Sequence, residues 1–157
     1  MRSKGAAPED SAMLVWIADL APEPASARSM EGRVAMGIKV LVVDDSPTLR
    51  GQIARTLSDA YFDVVEASNG VDAFERLAKH PDIEFVVCDV DMPRMNGIEF
   101  LEKVNAGGSR VPILMLTTEG RPQIVQRARA LGAKGWIVKP FKPDLLVAAI
   151  KKILGKA

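Results

Sequence analysis

The sequence holds one cysteine, one histidine and one tyrosine. A single cysteine excludes an internal disulfide and agrees with a reducing compartment, so a cytoplasmic location is expected. The single histidine, His80, stands before Pro81 where a helix should end. It reads as a solvated helix-end residue, which disfavours schemes needing a histidine pair or a phosphohistidine on this chain. An excess of one charge is also missing. The 21 Lys and Arg against 20 Asp and Glu leave a formal net charge of +1, which gives no global pull toward nucleic acid or an anionic membrane. Long hydrophobic runs are lacking near the start, where the one apolar island, Met13 to Ala18, falls far short of the ~20 residues that span a bilayer.

What is present suits one domain and an appendage, since 157 residues with 48% hydrophobic content can bury a real core. The chain divides near Met36. Residues 1–36 read as a flexible N-terminal extension, and residues 37–157 as the folded domain. Arg2 and Lys4, the apolar island and Ala-Ser-Ala at 25–27 imitate a secretory leader. Against export, Glu9 and Asp10 precede the island, and Asp19, Pro22, Glu23 and Pro24 break up the stretch after it. Met36-Gly37 abuts the first strand directly, as a start codon for the domain alone would.

From Ile38 two periodicities alternate. The runs "IKVLVV", "FDVVEA", "EFVVCD", "VPILMLT" and "GWIVKP" read as strands. Between and after them lie helical segments, with Leu49, Ile53 and Leu57 on the first and Val71, Phe74, Leu77 and Ala78 on the second. Ile98, Leu101 and Val104 mark the third, and Ile124, Val125, Ala128 and Leu131 the fourth. "PDLLVAAIKKIL" is the fifth. Ser46 followed by Pro47 is a helix start, with a capping hydroxyl and then a ring that needs no amide partner. Five strands alternating with five helices imply βαβ crossovers and a parallel sheet covered on both faces. The continuous apolar strands agree. The fold class is therefore an open, doubly wound α/β sandwich.

Such sheets bind ligands at the carboxyl ends of their strands. In this chain those ends carry Asp44 and Asp45, Asp89, Thr117 and Lys139. Three carboxylates in one place repel, and a divalent cation relieves the conflict. Magnesium favours oxygen ligands and is held by one or two carboxylates with a phosphate. Lys139 supplies a point charge for a phosphoryl oxygen and Thr117 a hydroxyl. The set suits phosphoryl transfer, where positioning and charge neutralisation do most of the work.

Each of these residues also has a plainer reading. Asp44 and Asp45 can be acids at a helix N-terminus, Thr117 the end of a β-branched strand, and Lys139 a surface charge. Trp136 can be core packing, and Cys88 reads as an inward packing residue. Arg121, Arg127 and Arg129 can be the wet side of their helix or a partner-binding face.

The stretches "VLVVDDSPTLR", "CDVDMPRMNG", "PILMLTTE" and "GWIVKPF" together resemble the receiver domains of two-component signalling, in particular CheY-like single-domain response regulators. The resemblance covers about residues 38–155. It implies a flavodoxin-like sheet of strand order 2-1-3-4-5, Asp89 as the phosphoacceptor, and Mg²⁺ held by Asp45, Asp89 and the backbone carbonyl of Asp91, with Asp44 acting mostly through water. It further implies that Thr117 and Lys139 bond phosphoryl oxygens, that the Lys139–Pro140 peptide is cis, and that Trp136 takes the aromatic switch position. Family members often carry Tyr or Phe there, so the indole is a departure.

The function so implied is a signalling switch rather than an enzyme, phosphorylated by a sensor histidine kinase. No output segment comes after Ala157 in this sequence, so protein contact is the expected output, most simply in chemotaxis. The expected target is a flagellar-motor switch protein or a phosphotransfer protein, with no nucleic acid and no membrane. A phosphorelay or cell-cycle receiver is the alternative. An Asp-nucleophile phosphatase of the haloacid dehalogenase type has Asp91 as its second acid, but lacks material for a cap and places the pair on the wrong strand.

Overall fold

The β-branched runs form strands and the amphipathic runs cover them. The computed structural model describes Val15–Ile17, residues 37–118 and residues 120–155. In chain order the strands are β1 (Val15–Ile17), β2 (Lys39–Val43), β3 (Asp63–Ala67), β4 (Ile83–Cys88), β5 (Ile113–Thr117) and β6 (Gly135–Val138). The helices are α1 (Pro47–Asp59), α2 (Gly70–Lys79), α3 (Gly97–Ala106), α4 (Pro122–Ala130) and α5 (Pro143–Leu154). Spatially the sheet runs β3-β2-β4-β5-β6-β1. All pairs from β3 to β6 are parallel. Counted from β2, the five parallel strands stand in the expected 2-1-3-4-5 order.

The sixth strand is an addition. Val15–Ile17 pairs antiparallel with β6, placing Trp16 in register with Trp136. The remainder of the expected extension, 1–14 and 18–36, lies outside the described residues.

Capping follows the sequence. The Ser46 hydroxyl accepts from the Leu49 amide at the start of α1, and Pro47 comes directly after it. Asn69 caps α2, while Asn96 and Glu99 form a reciprocal capping box on α3. His80 is the C-cap of α2. Alternation along the strands divides the core in two. Leu41, Val43, Val86 and Cys88 face a cluster completed by Ala73, Leu101, Val104 and Ala128, from α2, α3 and α4. Val40, Val42, Phe85 and Val87 face Ile53, Leu57, Leu146 and Ile150, from α1 and α5. Fully burying each of the Val, Leu, Ile and Phe side chains among them contributes about 1.5–3 kcal/mol.

One helix face departs from expectation. On α2 the fully buried residue is Ala73, while Phe74 is 37% exposed and lies under the Lys103 ammonium, 5.6 Å from its ring centre. The helix buries its small residues, Ala73 in the core beside Leu41 and Val43 and Gly70 against Met95, whose carbonyl accepts from the Gly70 amide at 3.1 Å. Among the described residues no helix is long and apolar enough to cross a membrane.

Candidate functional site

Parallel strands end on the same edge, so the residues just beyond each strand are brought together. Val43 pairs with Cys88 and Thr117 with Val138, and these registers align the residues that come next. Asp44 and Asp45 follow β2, Asp89 follows β4, Thr117 ends β5 and Lys139 follows β6. Asp44, Asp89 and Thr117 are buried polar residues, whereas Asp45 is exposed. One carboxylate oxygen from each of Asp44, Asp45 and Asp89 lies within 4.8 Å of the other two. The acids expected to converge do converge.

Lys139 enters this cluster. Its Nζ stands 3.0 Å from Asp44 Oδ2 and 3.5 Å from Asp89 Oδ2. The Lys139–Pro140 peptide is cis, as expected. The Asp89 carboxylate also accepts from the Val90 amide at 2.7 Å and from the Thr117 hydroxyl. Burial nevertheless pushes the Asp89 pKa above its ordinary value, and the Asp44 charge adds to the rise. Lys139, Thr117 and the Val90 amide oppose it without cancelling it. Asp89 is therefore a carboxylate short of positive charge. Burial likewise pushes the Cys88 thiol well above its usual value, with Asp89 and Asp44 contributing. Cys88 is a packing residue, and its thiol donates to the Asp89 carbonyl at 3.2 Å.

The wall behind Asp89 is glycine. A Cβ on Gly97 would stand 2.2 Å from the Asp89 carbonyl oxygen, so the first turn of α3 can approach the acid only without a side chain. The Gly97 amide donates to the Val90 carbonyl at 2.8 Å and fastens that approach.

Trp136 is fully buried, on the core side shared with α3 and α4. Asp91 is exposed in the turn after Asp89. A cavity of about 1200 Å³ lies between α1 and α5, and Lys139 and Pro140 reach its wall. None of the three acids lines it, so the converging charges, and not the volume, mark the site.

Sequence reasoning missed one side chain. Arg50 donates through Nη1 to the Asp44 carbonyl at 2.7 Å and through Nε to Glu66 at 3.0 Å. An arginine on a first helical turn has no pattern that separates it from a solvated one. The β2–β3 register, which pairs Val42 with Glu66, is what supplies its partner.

The donor set is all oxygen, with three carboxylates in mutual contact range and one of them short of positive charge. This fits a hard divalent cation such as Mg²⁺.

The response regulator receiver domain family matches residues 40–151. The Helicobacter pylori (strain J99) chemotaxis protein CheY1 is 43% identical over 121 residues, spanning 75% of this chain and 98% of that protein. A Campylobacter jejuni CheY homolog is 42% identical, spanning 75% and 93%. Among solved structures, Vibrio cholerae chemotaxis protein CheY4 superposes with a TM-score of 0.70 at 39% identity, covering 74% of this chain and 98% of that one. A chain of a CheX–CheY–BeF₃–Mg²⁺ complex from Borrelia burgdorferi gives 0.73 at 26% identity, covering 82% of this chain and 98% of that one. The family match, the relatives and the order of strands agree: this chain belongs to the response regulator receiver family, as a CheY-like regulator of the chemotaxis type.

Proposed function

We propose that Asp89 accepts a phosphoryl group from a sensor histidine kinase of the chemotaxis type, in a Mg²⁺-dependent reaction. The observation that carries this reading is the setting of Asp89, a buried carboxylate with Thr117 and Lys139 on its own oxygens and two further acids within 4.8 Å. An Asp89 oxygen attacks the phosphorus of the kinase phosphohistidine, a P–O bond forms, and the P–N bond breaks with the imidazole leaving. Asp45, Asp89 and the Asp91 backbone carbonyl would hold the ion, with Asp44 acting through water. When bound, Mg²⁺ supplies charge neutralisation to the acids and to the phosphoryl oxygens. Lys139 lies between two carboxylates and is free to shift its charge onto a third oxygen, while the Thr117 hydroxyl turns from Asp89 to the new phosphoryl group.

Phosphorylation adds about 1.5 to 2 negative charges at Asp89. The residues that respond, Thr117 and Lys139, sit on β5 and beside β6. The protein-binding face built on β6 and α4 then changes, with Trp136 as the switch element. Output is contact with another protein, either a flagellar-motor switch protein or a phosphotransfer protein, in the cytoplasm. The chain works as a switch that catalyses only its own phosphorylation and dephosphorylation. The receiver is assigned to residues 37–157 and the extension to 1–36.

Incubation with acetyl phosphate and Mg²⁺ tests the assignment. Intact mass should rise by one phosphoryl group, and Asp89→Asn or removal of Mg²⁺ with EDTA should abolish the gain. Unchanged labelling of Asp89→Asn would overturn it.

A further inference from the structure

Of the two acids after β2, the buried one is held by its own side chain and the exposed one is not. Asp44 Oδ1 accepts from the Ser46 amide at 2.9 Å, and Asp44 Oδ2 meets Lys139 at 3.0 Å. Asp45 is exposed, and its carboxylate makes no hydrogen bond or ion pair with another described residue. Its position therefore depends on its backbone. The peptide that joins Asp44 to Asp45 presents the carbonyl that Arg50 Nη1 grips at 2.7 Å. The other side of the same guanidinium is anchored on Glu66 Oε1 at 3.0 Å, one residue before the β3 carbonyl (Ala67) that receives the Asp44 amide at 3.2 Å. The Arg50 side chain is only 19% exposed.

We propose that Arg50 is a positioning residue of the acid site, a strut between β3 and the Asp44–Asp45 peptide that sets where Asp45 stands relative to Asp89. The planar fork suits this task, because two donors on different nitrogens serve two elements at a fixed separation, whereas a lysine ammonium serves one point. This inference rests on the reading of Asp44, Asp45 and Asp89 as a Mg²⁺ site.

Electrostatics and positioning predict opposite signs. If Arg50 mattered only as a nearby positive charge, its removal would tighten Mg²⁺ binding to three acids. As a strut, its removal loosens the loop and weakens binding, by the ~10-fold or more that outer-sphere partners of metal ligands contribute.

The test uses the full-length chain, with Mg²⁺ affinity measured by calorimetry well below the thermal midpoint of each variant. Arg50→Ala is expected to weaken Mg²⁺ about ten-fold, and Arg50→Lys to recover part of the loss. Glu66→Ala should cost less, and in the Arg50→Ala background should add nothing, because the two share one strut. Affinity equal to or tighter than wild type in Arg50→Ala would overturn the proposal. A second arm needs no metal. In divalent-free buffer the Ser46 amide, held on Asp44, should exchange faster in Arg50→Ala while core strand amides do not. Unchanged Ser46 exchange would overturn the strut as well. If the wild-type chain itself binds no Mg²⁺, the metal-site reading falls, and the exchange arm still decides the role of Arg50.

Discussion

Two lysine–aspartate pairs of nearly equal length stand at opposite ends of the sheet. Lys39 meets Asp82 at 2.9 Å beside the amino ends of β2 and β4, and Lys139 meets Asp44 at 3.0 Å beyond the carboxyl ends. Their surroundings differ far more than their distances. The Lys39 and Asp82 side chains are 20% and 64% exposed, against 8% and 1% for Lys139 and Asp44. The first pair shows simple mutual stabilisation. The hydrogen bond between them raises the Lys39 pKa and lowers that of Asp82. The second pair is not closed, because Lys139 also faces Asp89 at 3.5 Å and Asp89 still ionises less readily than an ordinary carboxylate. Distance alone does not tell a strut from a site. What sets the second pair apart is its burial and the second carboxylate that faces the same lysine.

The contrast should break most severely at Gly97, because the buried end has a steric wall that the exposed end lacks. Gly97→Ala drives a Cβ to 2.2 Å from the Asp89 carbonyl and 2.9 Å from Val90 Cα. Backbone atoms cannot step aside as a flexible side chain can, so a loss of about 3 kcal/mol or more is expected in denaturant melts. A loss under ~1 kcal/mol would mean that α3 and the turn shift together.

A smaller effect, of opposite sign, is expected at Asp89 itself. Its folded-state pKa lies above the ordinary value of 3.8, so the folded state binds this proton more tightly than the unfolded chain does. Ionising the group therefore costs stability, with no cost below the ordinary range and the full cost above the raised pKa. In divalent-free buffer Asp89→Asn should raise the thermal midpoint at neutral pH, since Lys139 keeps Asp44 as its partner. The gain should shrink as pH falls and vanish below about 3.8, the ordinary value. A lower midpoint at neutral pH would show that Asp89 is a stabilising ion-pair member, like Asp82.

Least of all should happen at the exposed pair. Lys39→Ala removes a contact screened by water and salt, and neither Mg²⁺ affinity nor phosphoryl uptake should move beyond measurement error. A change in either would show that the two ends of the sheet communicate.

Much of this was legible in the chain because local chemistry and global topology agree. Hydrophobic strands that each end in a polar residue give away the site edge, since parallel strands must bring Asp45, Asp89, Thr117 and Lys139 to one side. Ser46 with Pro47 marked the start of α1 for a reason the structure repeats. Other features had no local signal. β1 is three residues long and exists through pairing with β6, more than a hundred positions away, so nothing near Val15 announces it. On α2 the larger Phe74 outweighed Ala73 in the apolar pattern, yet the small residue packs against the sheet. Arg50 needed the β2–β3 register before its partner could be known.

The central claim is that the Lys139–Asp44 pair belongs to a working site rather than serving as a strut. Lys139→Ala tests it directly, with Mg²⁺ affinity and phosphoryl uptake from acetyl phosphate measured on the same preparation. Removing a cation from among three carboxylates should leave Mg²⁺ binding as tight as in wild type or tighter. Phosphoryl uptake or the response to it should be impaired, because the developing charge loses its partner. Clear loss of Mg²⁺ affinity would contradict the account.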